Sequence, residues 1–303
     1  NNHDYMLFFT KQGRCFWLKV YEIPEGTKTS KGRAIQNIIN IPKDDKVMAY
    51  INTKDLKDED YINSHYIMMC TKKGVVKKTS LEAYSRPRTN GINAITIREG
   101  DQLLEAKMTT GNSHIMMAVK SGKAIHFEEE KVRSMGRTAA GVRGIRLAND
   151  NDEVVGMICI EDINSSVLVV AENGYGKRSA VEDYRITNRG GKGVKTINIT
   201  DKTGQLISLK NVSDEDDLMV INRSGITIRI GVDTLRVMGR ATQGVKLIRL
   251  RDDDLIASVA KVSKFEAIES EDEGNDDELE SNSFNDKNLA DKQDKSESDD
   301  SNN

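Results

Sequence analysis

Short apolar runs separated by turn residues recur along the chain and predict a succession of β-hairpins. In five places a run rich in Val, Ile and Met is followed by a glycine-containing turn and a second run of the same kind. Glycine tolerates the positive φ that a tight hairpin turn requires. No segment shows the period of a long amphipathic helix. The pattern therefore predicts an all-β chain whose hairpin turns contain Gly13, Gly74, Gly122, Gly174 and Gly225.

The hairpins belong to a longer repeat. A second glycine follows each turn glycine by 17 or 19 residues, at Gly32, Gly91, Gly141, Gly193 and Gly244. The segments RSMGRTAAGVRGIRL (133–147) and RVMGRATQGVKLIRL (236–250) are identical at nine of 15 positions. Each unit spans about 50 residues and offers about four short strands, which is typical of a propeller blade. We predict a propeller-like fold with about five four-stranded blades.

Two stretches depart from the repeat. Residues 53–64 (TKDLKDEDYINS) interrupt it with a polar insertion that we expect to be a loop. From residue 264 onwards the sequence is dominated by Asp, Glu, Ser and Asn, a composition that does not bury enough apolar surface to fold. We therefore divide the chain into a folded β domain (1–263) and a disordered acidic tail (264–303).

The charge is distributed unevenly. The whole chain has a formal charge of −3, but residues 265–303 contain 15 acidic residues and three lysines, a net −12. The remaining residues therefore carry a net charge of +9. A basic body followed by an acidic tail favours a polyanionic partner, although surplus lysine also aids solubility.

Other classes of site have little support in the sequence. The cysteines, Cys15, Cys70 and Cys159, are far apart and have neither metal-ligand spacing nor the pattern of a disulfide framework. The four histidines form no spaced cluster, and no apolar run reaches the length of a membrane helix. We find no nucleophile–base constellation, and we predict no catalytic or metal site and no membrane association.

Several of these segments carry a family resemblance. HDYMLFFTKQGRCFWLKVYEIPEGTKTSKGRAI (3–35), VRSMGRTAAGVRGIRL (132–147), NGYGKRSAVEDY (173–184) and VMGRATQGVKLIRL (237–250) resemble the C-terminal domain of the DNA gyrase A protein. The resemblance covers residues 1–262. It implies a β-pinwheel, a propeller-like disc whose blades exchange strands and which usually has six blades.

One motif of that family is represented only in part. Its signature box, Gln and a basic residue followed by Arg-Gly-Gly-Lys-Gly, normally lies in the first blade. The partial copy here, Arg189 to Gly193, lies in the fourth unit, with Thr187 and Asn188 in place of the first two residues. We interpret it as a box-like blade loop. Because the chain does not begin with Met and residues 5–9 already resemble a strand, we expect the box itself upstream of Asn1, in a longer protein.

The resemblance also implies a function. Gyrase wraps double-stranded DNA around the basic rim of this disc and introduces negative supercoils in an ATP-dependent reaction. The implied partners are DNA, the breakage-reunion domain that carries the catalytic tyrosine, and the ATPase protein of the A2B2 heterotetramer, in the bacterial cytoplasm and nucleoid. The segment itself would be neither an enzyme nor a holder of cofactors, since ATP and Mg²⁺ would be used by other domains. Two alternatives stay open: the corresponding C-terminal domain of topoisomerase IV, and a propeller that serves only as a protein-interaction platform.

Wrapping requires positive charge at regular intervals along a curved surface, and no reading of bases. The second-glycine loops, defined as the residues around each second glycine, are basic in every unit, and most hairpins add further cations. Glycines beside these residues allow backbone N–H groups to approach phosphate oxygens. The predicted DNA contacts are Lys11, Arg14, Lys28, Lys31, Arg33, Lys72, Lys73, Arg86, Arg88, Lys120, Lys123, Arg137, Arg143, Lys177, Arg178, Arg189, Gly190, Gly191, Lys192, Gly193, Lys195, Arg223, Arg240 and Lys246.

The effect of the acidic tail on DNA binding can be tested by deletion. If the tail competes with DNA for the basic surface, deletion of residues 265–303 tightens DNA binding, because a net charge of −12 no longer opposes the phosphates. A fluorescence titration of the deleted and intact chains at equal salt measures the change. An unaltered dissociation constant would instead assign the tail to solubility alone.

Overall fold

The computed structural model describes residues 2–27, 29–54, 56–251 and 254–264, and they form an almost entirely β structure. Units 1 and 2 contain β1 (Tyr5–Thr10), β2 (Arg14–Lys19), β3 (Val47–Thr53), β4 (Tyr66–Thr71), β5 (Val75–Ser80), β6 (Ile92–Asn93) and β7 (Leu103–Thr109). Unit 3 contains β8 (His114–Val119), β9 (Lys123–Glu128), β10 (Val142–Arg143) and β11 (Val154–Ile160). Units 4 and 5 contain β12 (Ser166–Ala171), β13 (Tyr175–Ala180), β14 (Val194–Lys195), β15 (Leu206–Val212), β16 (Asp216–Asn222), β17 (Thr227–Gly231), β18 (Val245–Lys246) and β19 (Ile256–Ser263).

The strands form five antiparallel sheets in which neighbouring units exchange a strand. Four sheets have four strands, in the orders β3-β1-β2-β6, β7-β4-β5-β10, β11-β8-β9-β14 and β15-β12-β13-β18. In each of them the last strand is donated by the following unit. The fifth sheet, β19-β16-β17, has three strands among the described residues. The predicted all-β, propeller-like pinwheel with five blades is confirmed, with this difference in the fifth blade.

Contacts between sheets distinguish an inner from an outer edge. Strands β3, β7, β11, β15 and β19 each pack against their counterparts in the adjacent sheets. These strands therefore lie towards the centre of the array. The donated strands β6, β10, β14 and β18 lie at the opposite edge of their sheets, so the outer edge of the array is made of two-residue strands and the loops that lead into them.

The hairpin-turn glycines receive the donated segments. Backbone amides of Gly144 and Ile145 donate to the carbonyl oxygen of Gly74, at 2.8 and 3.2 Å. A Cβ on Gly74, whose φ is +85°, would lie 2.7 Å from the Ile145 oxygen, so no larger residue fits without displacing the neighbour. The same pair of hydrogen bonds recurs in units 1, 3 and 4, where two consecutive amides of the next unit donate to Gly13, Gly122 and Gly174.

Alternating side chains of the central strands fill the interfaces between sheets. In β8, Ile115 and Met117 pack in the cluster towards unit 2, whereas Met116 packs with Val167 and Val169 of unit 4. All five of these side chains are fully buried. Each strand thus supplies the core of two interfaces, which explains why a run such as IMMAV is apolar throughout instead of alternating with polar residues.

The insertion between units 1 and 2 differs from the predicted loop. It contains a six-residue helix, α1 (Glu59–Ser64), whose first turn is capped by the Asp58 carboxylate accepting from the Tyr61 amide at 3.0 Å. Leu56 and Ile62 are buried in the cluster shared by units 1 and 2. Leu56 and Ile62, with Tyr61 packed against the same cluster, therefore anchor a segment that is otherwise polar. The predicted tail lies outside the described residues except for Lys264.

The turn glycines allow a matched test of strand donation. Both Gly74 and Gly225 have a positive φ, but a Cβ on Gly225 would meet nothing within 4 Å. We expect Gly225→Ala to lower the free energy of unfolding by about 1 kcal/mol, the cost of a left-handed alanine. Gly74→Ala carries the same cost plus about 1–3 kcal/mol of overpacking against unit 3. Urea denaturation of the two variants measures the difference, and equal losses would show that the contact with Ile145 contributes nothing.

Candidate nucleic-acid interface

The second-glycine loops of units 2 to 5 lie at the outer edge because each leads directly into a donated strand, whereas the unit 1 loop around Gly32 leads into none of the described donated strands. Their glycines press against the preceding sheet: a Cβ would lie 2.7 Å from the Val76 oxygen at Gly141, 2.5 Å from the Ala124 oxygen at Gly193 and 2.6 Å from the Gly176 oxygen at Gly244. All three have a positive φ. The backbone of each loop is therefore fixed on the sheet of the unit before it.

Successive loops are joined to one another by hydrogen bonds. The Thr96 hydroxyl donates to the Thr138 oxygen at 2.7 Å, and the Arg146 amide donates to the Gly191 oxygen at 2.8 Å. The Asn198 amide makes a longer bond to the Thr242 oxygen, at 3.1 Å. The loops of units 2 to 5 consequently form one continuous track along the outer edge, and we call this surface the basic track.

Most predicted cations of the second-glycine loops are exposed, and those of units 2 to 5 lie on the basic track, whereas Lys31 and Arg33 belong to the unit 1 loop outside it. Three of them, Arg137, Arg189 and Arg240, are half-buried. Arg86, Arg88 and Arg137 line one open surface cavity of about 480 Å³ at the boundary of units 2 and 3. Lys28 lies outside the described residues, and the exposed side chains are Lys31, Arg33, Arg86, Arg88, Arg143, Lys192, Lys195 and Lys246.

The hairpin cations differ in their surroundings. Two of them adjoin the basic track, because the Arg14 guanidinium donates to the Asn90 oxygen in the unit 2 loop and Lys123 lies opposite Lys195 of β14. Two others are neutralised, because the Glu153 carboxylate pairs with Lys120 at 2.9 Å and with Lys72 at 3.6 Å. The hydrogen bond from Lys120 holds the pKa of Glu153 below its usual value. The hairpin cations that remain exposed are Lys11, Lys73 and Arg223, while Arg14, Lys72, Lys120 and Lys123 are half-buried.

Two predicted contact residues are inside the molecule, so their prediction as DNA contacts was wrong. Lys177 is 1% exposed, and its ammonium donates to the Gly239 oxygen at 2.6 Å. Arg178 is also buried and forms an ion pair with Asp214. Arg178 lies opposite Leu168, on the face of its sheet towards unit 5, whereas Lys177 lies opposite Val169, on the face towards unit 3, and neither side chain reaches a duplex on the surface. The repeat phase indicated a basic position without distinguishing an inward from an outward side chain.

The box-like loop, residues 189–193, is held by its own arginine. The Arg189 guanidinium donates to the Lys131 oxygen at 2.8 Å and to the Arg143 oxygen at 3.2 Å, both in unit 3. The Gly190 amide donates to the Gly144 oxygen at 2.6 Å. Lys192 is exposed at the tip. Arg189 therefore shapes the loop, and Lys192 is its exposed cation.

Two further exposed cations lie on the basic track and were not predicted from the sequence. Arg146 and Arg249 occupy equivalent positions shortly after the donated strands β10 and β18, and both are exposed. The sequence repeat could have indicated both arginines, because the motif IRL ends both copies of the strongest repeat. Lys77, a fully buried lysine of β5 that lies opposite Met69 on the face towards unit 1, was not predicted either.

Two of the histidines form a close pair. His114 Nδ1 and His126 Nε2 lie 3.0 Å apart, and burial lowers the pKa of His126. The part of the chain that the structure describes contains no group of three or more His, Cys, Asp or Glu residues suited to a metal ion. Within the same residues, no helix has the length and apolar character needed to cross a membrane.

Comparisons with known proteins agree with this geometry. The chain matches the family described as DNA gyrase C-terminal domain, beta-propeller, over residues 4–54, 65–109, 113–161, 165–213 and 216–263. It is 43% identical over 279 residues to the gyrase A protein of Staphylococcus aureus, a match that covers 92% of this chain and 30% of that protein. The solved C-terminal domain of DNA topoisomerase IV aligns with a TM-score of 0.78 at 25% identity, covering 87% of this chain and 80% of that one. A solved DNA gyrase A C-terminal domain has the same fold, with a TM-score of 0.72 at 24% identity over 86% of this chain and 83% of its own.

Hydrogen exchange can test the role of Arg189 in the box-like loop. Arg189→Gln removes the bonds to Lys131 and Arg143, so we expect the Gly190 and Arg146 amides to exchange hydrogen roughly tenfold faster, as for the loss of one net hydrogen bond. Lys192→Gln is the matched control, because it removes an exposed charge from the same loop and leaves those bonds in place. Amide exchange followed by NMR distinguishes the two, and identical rates would contradict the role of Arg189.

Proposed function

This chain belongs to the DNA gyrase C-terminal domain family, and on that premise we propose that its basic track binds double-stranded DNA and bends it around the disc. The contacts are to phosphates and do not read the bases. The observation that carries the proposal is the series of exposed cations in the second-glycine loops, which recur in each of units 2 to 5 along the outer edge. A surface of this kind matches a duplex that curves towards the protein.

The chemistry of the track suits phosphate oxygens. Arginine guanidinium groups fork onto a phosphate, whereas lysines act as point charges. Arg86, Arg88 and Arg137 border one cavity, so unit 2 and unit 3 offer charge to the same stretch of backbone. Lys192 and Lys195 present a second group in unit 4. Each group belongs to a different blade, so successive groups would meet the duplex at intervals along its length.

The role within a longer protein follows from the relatives. The chain spans 30% of the length of the curated relatives it matches. We propose that it is the non-catalytic, DNA-wrapping part of the A protein of a bacterial type II topoisomerase, where it supports ATP-dependent negative supercoiling. Its partners would be the breakage-reunion domain and the ATPase protein of an A2B2 complex in the cytoplasm and nucleoid. ATP and Mg²⁺ would be used by those other domains, and this segment would hold no cofactor.

The alternatives have less support. A topoisomerase IV C-terminal domain shares the fold at 25% identity, whereas the gyrase A relative is 43% identical over nearly the whole chain. A propeller that only binds proteins would not require a cation in the outer loop of every unit. The family and the phased charge together favour the gyrase assignment.

Salt dependence tests the proposal. The logarithm of the binding constant should fall with the logarithm of salt concentration by roughly 0.9 for each phosphate contact. Combining Arg143→Gln, Lys192→Gln and Lys246→Gln, one exposed cation from each of three units, should make the slope less negative by about 3. Anisotropy titrations with duplexes of unrelated sequence measure both the slope and the lack of sequence preference.

A matched control variant removes three positive charges from residues that lie away from the basic track. Lys54, Lys107 and Lys261 are exposed on or beside the inner strands β3, β7 and β19, far from the basic track. Replacing these three by glutamine should leave the slope almost unchanged. If both triple variants lose affinity equally, net charge and not its placement governs binding, and the basic track is not the binding surface.

A further inference from the structure

Two lysines are sealed inside the molecule at equivalent positions of alternate blades. Lys77 in β5 is 0% exposed and Lys177 in β13 is 1% exposed. The Lys77 ammonium donates to the Ala94 oxygen at 2.5 Å and to the Arg137 oxygen at 2.6 Å. The Lys177 ammonium donates to the Gly239 oxygen at 2.6 Å. An ammonium group is costly to bury, so its presence at both positions requires an explanation.

The fold itself does not need lysine there. The corresponding positions of the other hairpins hold Phe16 in β2, Ile125 in β9 and Ile228 in β17. Phe16 and Ile125 are each 1% exposed, so a buried apolar residue satisfies the same place in the sheet. At this strand position, lysine occurs only in units 2 and 4.

Both lysines bind the same kind of loop from the following unit. Arg137 and Gly239 belong to the MGR motifs, residues 135–137 and 238–240, in the second-glycine loops of units 3 and 5. The backbone beside each lysine makes an equivalent hydrogen bond to the same loop. The Met135 amide donates to the Lys78 oxygen at 2.8 Å, and the Met238 amide donates to the Arg178 oxygen at 2.9 Å. These loops form the pair with nine identical positions in 15.

The unit 4 loop is anchored differently. Its Tyr184 oxygen lies 2.8 Å from His126 Nδ1, and Arg189 supplies the bonds to unit 3. The unit 2 loop has a related anchor, because the Trp17 indole donates to the Tyr84 oxygen at 3.0 Å. An ammonium is therefore the specific holder of the two loops that carry an MGR motif.

We propose that Lys77 and Lys177 are positioning residues for DNA binding, each fixing the backbone of an MGR motif so that Arg137 or Arg240 faces the duplex. This inference rests on the proposed function of the basic track. The lysines touch no phosphate themselves, and they act through the carbonyl groups that they bind. Arg240 is further oriented by a bond to the Lys195 oxygen at 2.8 Å.

Charge supports this arrangement. Burial and then the nearby Arg137 guanidinium lower the pKa of Lys77 to about 8. Burial likewise lowers the pKa of Lys177 to about 8, with Asp183 opposing and Arg240 assisting the shift. A phosphate bound by Arg137 or Arg240 would offset that repulsion and favour the ammonium form.

The main test replaces both ammonium groups and keeps most of the side-chain volume. For the combined Lys77→Met and Lys177→Met variant of the 303-residue chain, we expect DNA affinity to fall by about tenfold, as for two lost exposed ion pairs. The salt slope should become less negative by about 2 at roughly 0.9 per contact. Ile125→Met is the control, because it places the same residue at the same position of unit 3 without removing a charge, and it should change neither quantity.

A double-mutant cycle separates positioning from general structural damage. In a background of Arg137→Gln, adding Lys77→Met should weaken binding no further, since the residue through which Lys77 acts is already absent. Full additivity of the two effects would overturn the inference. Unchanged affinity and slope for the double lysine variant would also overturn it while leaving the proposed function intact. Failure of the unaltered chain to bind DNA would reject the proposed function itself, together with this inference.

A pH series on the unaltered chain needs no substitution that could impair folding. Because bound phosphate favours the ammonium form, binding takes up protons above about pH 8, and affinity should fall more steeply between about pH 8 and 9.5 than in the double lysine variant. The hydroxyls beside the lysines do not titrate in this range, since burial raises the pKa of Tyr84 and of Tyr184. Parallel pH profiles for the two proteins would contradict the assignment.

Discussion

The structure depends on the pair of backbone hydrogen bonds that joins a donated segment to the hairpin glycine of the preceding unit. No sheet among the first four is complete without its successor, because its outer strand comes from the next unit. The glycine is required twice, for its positive φ and for the close approach of the neighbouring carbonyl. The donated strand is part of the following unit's chain and is hydrogen-bonded into the preceding sheet. Neighbouring blades are therefore joined through the backbone as well as through side-chain packing.

The boundaries between units alternate in chemistry. Units 1 and 3 meet their successors through Trp17 and His126 against a tyrosine carbonyl, whereas units 2 and 4 use a buried lysine against an MGR loop. The true repeat is thus a pair of blades. This explains why the strongest internal match has an offset of 103 residues, since units two apart preserve the same kind of boundary.

Periodicity was sufficient to predict the strands, the hairpin glycines and the number of units, because each depends on local backbone requirements. It did not predict which basic residues face inward. Lys177 and Lys192 both lie within three residues of a repeat glycine, yet the first is buried and the second is exposed. Side-chain direction depends on strand register against the next unit, which a single sequence does not specify. The α1 insertion was missed for a related reason, since its burial depends on Leu56 and Ile62 finding the cluster between units 1 and 2.

One continuous segment, the second-glycine loop and the donated strand that follows it, therefore both joins neighbouring units and places the cations. The residues that cross to the preceding sheet are directly preceded by the second-glycine loop, so the loop is placed wherever the strand pairs. The spacing of the cations along the outer edge consequently equals the spacing of the blades and needs no separate device. A buried ammonium at two of the four donated boundaries then fixes the loop backbone without taking up surface. On this account, a substitution that loosens donation displaces a cation even when it changes no charge, so stability and DNA affinity are coupled through the backbone.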